Sequence, residues 1–134
     1  MTLQKRALGQ SGIIVSCLGL GTVKFGRNQE VKYPRSFSLP SDDMVLNLLN
    51  QAEALGINFL DTAPAYGSSE QRLGRLLQRR QDWVICTKVG EEFITGKSFF
   101  DFSGPHIRNS IERSLRNLKT DYLDLYQLHW PERK

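Results

Sequence analysis

Four side chains with acid–base chemistry stand at the ends of three apolar, strand-like runs. Asp61 and Tyr66 follow the first run, Lys88 closes the second and His129 closes the third. In parallel α/β proteins the carboxyl ends of the strands share one face, so residues distant in sequence converge there. We therefore expect these four residues to form one catalytic site.

These side chains suit the reduction of a carbonyl by hydride transfer. That reaction leaves negative charge on oxygen, and Tyr66 is the candidate proton donor. A tyrosine is a weak acid at its usual pKa of about 10, and burial raises the pKa further. A Lys88 ammonium about 4 Å away would interact with the phenolate by roughly 4 kcal/mol at an effective dielectric near 20, which offsets burial. Asp61 would keep Lys88 charged, and His129 would donate a hydrogen bond to the substrate oxygen.

Each residue also has a structural interpretation as a cap, a packing aromatic, a surface charge or a core histidine. The occurrence of all four residues at strand-end positions favours a catalytic interpretation over four separate structural ones. Trp130, next to His129, either lines the substrate pocket or packs at an interface. His106 precedes a predicted helix without spaced ligands around it, and we assign it no function.

Several short motifs follow one another through most of the chain. They are Leu18-Gly19-Leu20-Gly21-Thr22, the block 61–74 with Tyr66-Gly67, Glu70 and Leu73-Gly74, then Thr87-Lys88-Val89-Gly90, Ser114-Leu115-Arg116-Asn117-Leu118, and Asp121-Tyr122 through His129-Trp130-Pro131. Their order and spacing closely resemble the aldo-keto reductases. Only the segments 24–40 and 91–103 lie outside the shared pattern.

The resemblance implies a (β/α)8 TIM barrel preceded by an N-terminal β-hairpin, with Asp61, Tyr66, Lys88 and His129 as the catalytic tetrad. It implies reduction of aldehydes or ketones to alcohols with NADPH, or with NADH. Gly21, Thr22 and Asp61 would contact the cofactor. The groups that bind its phosphates would come chiefly from the second half of the barrel.

The chain is short for that fold. A barrel typically takes about 250 residues, whereas this chain has 134. We expect residues 1–134 to form one partial barrel domain of about four βα units, the N-terminal half of a longer protein. The alternatives are a decayed gene product and a half-barrel that assembles with a partner. An unpaired edge along 122–128 would favour an oligomer or a partner, because parallel sheets are normally covered.

Helical and strand-like periodicities alternate along the chain, which indicates a parallel α/β sheet. An open doubly wound sheet fits this alternation equally well, and only the family motifs favour a barrel. Gly19-Leu20-Gly21 lacks the third glycine of a dinucleotide-binding loop. The predicted elements are a hairpin over 4–15, strands over 16–21, 57–60, 83–87 and 122–128, a long loop over 24–40 that could cover substrate, and helices from Ser41 to Gly56, from Ser68 or Ser69, and from Pro105.

Composition argues against several other classes. With 40% hydrophobic and 24% charged residues and no long apolar run, the chain reads as a cytoplasmic protein without a membrane span. Cys17 and Cys86 lie in apolar runs without metal or disulfide spacing, so we expect two buried thiols and no metal. The net charge is +4, and the densest basic cluster is read as a solvated helix face, not a nucleic-acid site. That cluster is Arg72, Arg75, Arg79 and Arg80.

Two other functions stay open at this point. Lys88 could act as a Schiff-base nucleophile in an aldolase-like barrel, although Asp61 and Tyr66 would then lack a purpose. Alternatively, the chain could be an inactive or regulatory, nucleotide-sensing subunit, since reductase-like domains also serve that role.

Overall fold

The computed structural model describes residues 3–131, and its centre is a parallel sheet. The strands are β1 (Lys5–Ala7), β2 (Ile14–Ser16), β3 (Leu20–Gly21), β4 (Phe59–Asp61), β5 (Val84–Val89), β6 (Glu91–Ile94), β7 (Lys97–Phe100) and β8 (Leu125–Leu128). The helices are α1 (Val23–Gly26), α2 (Asp42–Ala54), α3 (Ser69–Leu76) and α4 (Gly104–Leu118), with a 3-10 turn at Arg80–Asp82.

The central sheet has the order β3-β4-β5-β8, with every pair parallel. Gly21 pairs with Asp61, and Asp61 pairs with Cys86, so the carboxyl ends of neighbouring strands meet at one end of the sheet. Helices alternate with these strands as in a (β/α)8 barrel. The fold is therefore consistent with part of such a barrel, as predicted.

Local capping explains the bounds of the two long helices. The Ser41 side chain accepts a hydrogen bond from the Met44 N–H at 3.2 Å and starts α2. Gly56, at φ +84°, provides the left-handed turn that ends it. Ser103 caps α4 in the same way, with Pro105 in the first turn as the sequence indicates.

The core lies between the helices and the sheet. Leu60 and Ile85 from the strands pack against Leu49 of α2 and Leu73 of α3. Glu70 of α3 is also buried, and its carboxylate accepts hydrogen bonds from the Thr87 hydroxyl at 2.6 Å and the Asn117 amide at 3.1 Å. These bonds fasten α3 to β5 and α4.

The hairpin and the first barrel strand divide differently from the prediction. Ser16 belongs to β2, and the first barrel strand is only Leu20–Gly21. The chain bends between them because the Asn58 side chain accepts a hydrogen bond from the Ser16 N–H at 2.7 Å. Cys17 lies in this bend and is exposed, so the prediction that it is buried was wrong, whereas Cys86 is buried as predicted.

The segment 91–103 contains an unpredicted hairpin. Strands β6 and β7 pair antiparallel, and Glu91 lies opposite Phe100. The turn is formed by Thr95 at φ +49° and Gly96 at φ +78°, the paired positive φ values of a tight hairpin turn. This hairpin stands directly after β5, at the end of the sheet that carries Lys88.

The interpretation of the arginine cluster as a solvated helix face was wrong. Helix α3 ends at Leu76, so Arg79 and Arg80 lie beyond it, and Arg72 is buried. Each of the four arginines forms an ion pair with a carboxylate: Arg72 and Arg75 with Asp42, Arg79 with Glu53 and Asp82, and Arg80 with Asp124.

The sheet has open edges within residues 3–131. Strand β8 pairs only with β5, and Leu128 at its end is 54% exposed. Among the helices in this part of the chain, none has the length and apolar character needed to cross a membrane.

Candidate active site

Asp61 and Lys88 form an ion pair at the carboxyl ends of adjacent strands. Lys88 Nζ lies 2.7 Å from Asp61 Oδ1 and donates a second hydrogen bond to the Thr62 carbonyl at 2.9 Å. The parallel pairing of β4 with β5 sets this distance, because it places Asp61 opposite Cys86, two residues before Lys88 on the same strand. Lys88 is only 8% exposed, so these two acceptors replace the water molecules that the buried ammonium has lost.

Tyr66 lies in the loop between β4 and α3, with its ring beside the ammonium. Lys88 Nζ is 5.0 Å from the ring centroid. Burial raises the pKa of the Tyr66 phenol above its ordinary value, and the positive charge of Lys88 opposes that rise. The two effects are those expected from the sequence, and burial is the larger.

A close backbone contact holds the Tyr66 loop in place. Gly67 adopts φ +60°, and a Cβ there would meet the Gly26 carbonyl oxygen at 2.0 Å. A Cβ on Gly26 would in turn meet the Tyr66 carbonyl oxygen at 2.2 Å. Only glycine at both positions lets α1 approach the loop this closely.

His129 comes directly after β8 and faces Tyr66. Its backbone N–H donates to the Val89 carbonyl at 2.7 Å, which continues the pairing of β5 with β8. The imidazole and phenol rings are nearly perpendicular, with centroids 5.8 Å apart. Burial lowers the pKa of His129, and Glu91 opposes this effect.

Two charged residues that sequence reasoning missed adjoin this group. The Arg27 guanidinium lies 3.3 Å from Glu91 Oε1, and both side chains are buried. Glu91 Oε2 in turn lies 3.2 Å from His129 Nδ1, an electrostatic contact with imperfect hydrogen-bond alignment. A carboxylate so soon after the strand of Lys88 was the available signal, but it falls outside the shared motifs.

Arg27 joins the segment that follows α1 to the β6–β7 hairpin. Its guanidinium donates to the carbonyls of Ala65, Gln29 and Glu30, at 3.2, 2.9 and 3.0 Å. Its plane also stacks over the Phe93 ring at 3.7 Å from the centroid. The contacts fix two loops beside the catalytic candidates.

An open cleft of about 520 Å³ lies between these loops. Tyr66 and His129 line it together with Tyr33, Phe100 and Trp130. Part of the loop 24–40 forms one wall, and Trp130 stands at the rim with 68% exposure. A larger cleft of about 590 Å³, beside Arg80 and Tyr122, contains none of the predicted site residues.

The residues expected to contact a cofactor lie at the same end of the sheet. Gly21 is paired with Asp61, and no atom lies within 4 Å of where its Cβ would stand. Thr22 is fully buried, and its hydroxyl donates to the Asp61 carbonyl at 2.9 Å and accepts from Ser69 at 2.8 Å. Open space at Gly21 therefore adjoins a rigid support at Thr22.

Comparison with known proteins gives the family. Residues 17–134 match the model of the aldo/keto reductase family. The chain belongs to that family. Among curated relatives, it is 37% identical over 132 residues to an uncharacterized oxidoreductase, YqkF, of Bacillus subtilis, and 36% identical over 133 residues to L-galactose dehydrogenase of Arabidopsis thaliana.

Solved structures agree with this membership. A putative aldo-keto reductase from Pseudomonas aeruginosa superposes with a TM-score of 0.86 at 53% identity, covering 96% of this chain and 48% of that one. An aldo-keto reductase from Bacillus halodurans in its holo form gives 0.78 at 39% identity, covering 95% and 40%. The two curated matches cover 95% of this chain but only 39% and 38% of the relatives. The chain thus spans about two fifths of their length.

Proposed function

We propose that the whole protein is an NADPH-dependent reductase of aldehyde or ketone carbonyls, with Tyr66 as the proton donor. The observation that carries the proposal is the position of the Lys88 ammonium, which lies 2.7 Å from the Asp61 carboxylate and 5.0 Å from the ring centroid of Tyr66, a residue that lines an open cleft. Family membership supports an oxidoreductase.

Each of the four side chains has a role in this reaction. Tyr66 gives its proton to the carbonyl oxygen as negative charge develops there. Lys88 stabilises the phenolate that remains, and Asp61 holds Lys88 in place through the 2.7 Å ion pair. His129, whose ring centroid lies 5.8 Å from that of Tyr66, hydrogen-bonds the substrate oxygen and orients it.

The residues around Gly21 fit a nicotinamide cofactor. A reduced nicotinamide supplies the hydride when bound. Gly21 leaves open space beside Asp61, and the buried Thr22 keeps the adjoining backbone fixed. The preference for NADPH over NADH follows from the family resemblance, and the groups that bind the phosphates are expected in the second half of the barrel.

The Schiff-base alternative receives less support. A lysine nucleophile needs a neutral amine that can approach the substrate. Lys88 Nζ instead donates to Asp61 and to the Thr62 carbonyl, and it is 8% exposed. A trapped adduct on Lys88 after borohydride treatment with a carbonyl substrate would favour the aldolase.

Tyr66→Phe tests the proposal. Removing the hydroxyl deletes the acid without opening the nicotinamide site, so turnover should fall by about 10²- to 10⁴-fold while cofactor affinity stays nearly unchanged. Steady-state reduction of a panel of aldehydes and ketones, with cofactor binding followed by fluorescence, measures both.

Tyr126→Phe is the matched control. The Tyr126 hydroxyl is buried, and the residue does not line the cleft. This variant should keep its turnover. Near-normal turnover in Tyr66→Phe would remove Tyr66 from the mechanism, and equal losses in both variants would indicate a structural effect.

A further inference from the structure

Glu91 is a buried carboxylate whose two oxygens have different partners. Oε1 faces the Arg27 guanidinium at 3.3 Å and accepts a hydrogen bond from the Ser98 hydroxyl at 2.7 Å. Oε2 lies 3.2 Å from His129 Nδ1. Arg27 and Ser98 therefore fix the carboxylate in an orientation that presents one oxygen to the imidazole.

This contact decides which nitrogen of His129 carries hydrogen. A neutral imidazole has one N–H donor and one lone-pair acceptor. The negative oxygen 3.2 Å away repels a lone pair on Nδ1 and attracts an Nδ1–H, although the alignment falls short of a hydrogen bond. The second nitrogen, Nε2, is then the acceptor in the neutral ring.

We propose that Glu91 is a positioning residue, which holds His129 in the Nδ1–H tautomer so that Nε2 is the nitrogen that gains and loses the proton at the cleft. The proposal deepens the reductase function above and rests on it. Glu91 lines the cleft, and its two oxygens face Arg27, Ser98 and His129, so we assign it an effect on the substrate through His129.

A consequence concerns how His129 can assist a carbonyl. In the Nδ1–H tautomer, Nε2 donates a hydrogen bond to the substrate oxygen only when the ring is an imidazolium. The neutral ring can instead accept a hydrogen bond from an alcohol. Carbonyl reduction should therefore use the charged form of His129, and Glu91 is the counter-ion of that form.

Several charges act on the imidazole besides Glu91. Burial lowers the pKa of His129 most, Glu91 raises it, and the positive charges of Lys88 and Arg27 lower it. The groups that face the ring are Glu91 on β6, Lys88 on β5, Asp61 on β4, Arg27 after α1, and Tyr66 before α3. Of the two negative charges among them, Glu91 raises the pKa of His129 more than Asp61 does, so it is the one to remove.

Nitrogen-15 NMR of histidine-labelled whole protein tests the proposal, because imidazole nitrogen shifts report the tautomer and the titration separately. His129→Asn identifies the relevant resonances. We expect the Nδ1–H tautomer at high pH in the unmodified protein. In Glu91→Gln the pKa of His129 should fall by about one unit, since opposite charges at this range shift a pKa by about one to three units and Arg27 offsets part of the effect.

Two further variants keep the test sound. Arg27→Met should move the pKa of His129 upward, because it removes a positive charge that lowers this pKa. General loosening would also raise this pKa by relieving burial, so the fall expected in Glu91→Gln is the change of sign that loosening cannot produce. Glu92→Gln is the matched control, because Glu92 follows Glu91 on β6 and its Oε1 lies 3.2 Å from Nε2 of His106 in α4. This change should alter the NMR shifts of His106 and leave those of His129 unchanged.

Either of two results would overturn the proposal. One is an Nε2–H tautomer of His129, and the other is a His129 pKa that stays the same in Glu91→Gln while Glu92→Gln changes the His106 shifts. Activity supplies a second readout. As pH rises, kcat/KM for reduction should fall when the imidazolium is lost, and in Glu91→Gln this fall should come about one unit lower. The NMR result needs no turnover. The proposed role of Glu91 can therefore be refuted while Tyr66 remains the proton donor, and the role of Tyr66 can be refuted while that of Glu91 remains.

Discussion

Lys88→Met is the substitution whose effect follows most directly from the geometry of the site. Methionine keeps an unbranched chain of similar length and removes only the charge. With Nζ 5.0 Å from the Tyr66 ring centroid, the lost attraction for the phenolate is about 3 kcal/mol at an effective dielectric near 20. The Asp61 carboxylate, 2.7 Å from Nζ, cancels part of this. A net loss of about 1.4 to 3 kcal/mol corresponds to a roughly 10- to 100-fold slower reduction.

The same change has a predictable effect on the pH profile. Burial already raises the pKa of Tyr66, and Lys88 is the main group that opposes it. Without Lys88 the pKa of Tyr66 rises further, so the limb of the alcohol-oxidation profile that follows formation of the phenolate should move to higher pH. Alcohol oxidation needs the phenolate as a base and should fall more than reduction when both are compared at one neutral pH.

The assay is kcat/KM in both directions across a pH series, for the original protein and three variants. Lys88→Arg keeps the charge and should retain more activity than Lys88→Met. Asp61→Asn should have a milder effect on the profile than Lys88→Met, because it leaves the ammonium beside Tyr66. An unchanged pH profile in both Lys88→Met and Asp61→Asn would show that the three side chains are not coupled, which refutes the reasoning.

Two other predictions concern packing and thiol reactivity. Gly74→Ala should lower the free energy of unfolding in urea by about 1 to 3 kcal/mol, because its Cβ would meet the Asn117 carbonyl oxygen at 2.0 Å where α3 touches α4. Gly104→Ala, with only Arg108 side-chain atoms at 3.8 Å, is the control and should be nearly neutral; equal losses would refute the contact. Burial raises the pKa of the Cys86 thiol to about 11, whereas Cys17 is exposed. Iodoacetamide at about pH 8 should therefore label native protein at Cys17 and spare Cys86, and comparable labelling in peptide maps would contradict the burial of Cys86.

Elements with local signals were predictable from the sequence. Helix α2 follows from the Ser41 cap and the Gly56 stop, and both are present. Strand ends were less predictable because partners set them. Strand β8 begins at Leu125, where pairing with Cys86 of β5 begins, although the apolar pattern starts at Tyr122.

The residues of the site were likewise only partly predictable from the sequence. Four residues could be selected because each lies at or after the carboxyl end of a strand, and parallel strands bring these ends together. They are Asp61, Tyr66, Lys88 and His129. The contact between Arg27 and Glu91 joins residues 64 positions apart and depends on the segment after α1 and on the β6–β7 hairpin. No periodicity encodes such a pair, so Glu91 became visible only once the hairpin was placed beside His129.

The buried ion pair of Arg27 with Glu91 makes the two walls of the cleft interdependent for protein engineering. A chimera that replaced residues 91–100 with a loop lacking the carboxylate would leave the guanidinium buried without a counter-charge, which typically costs about 3 to 5 kcal/mol. Replacing 24–40 alone would instead leave the Glu91 carboxylate buried without the Arg27 counter-charge. Loop exchange intended to alter the choice of substrate should therefore transfer both segments as one cassette.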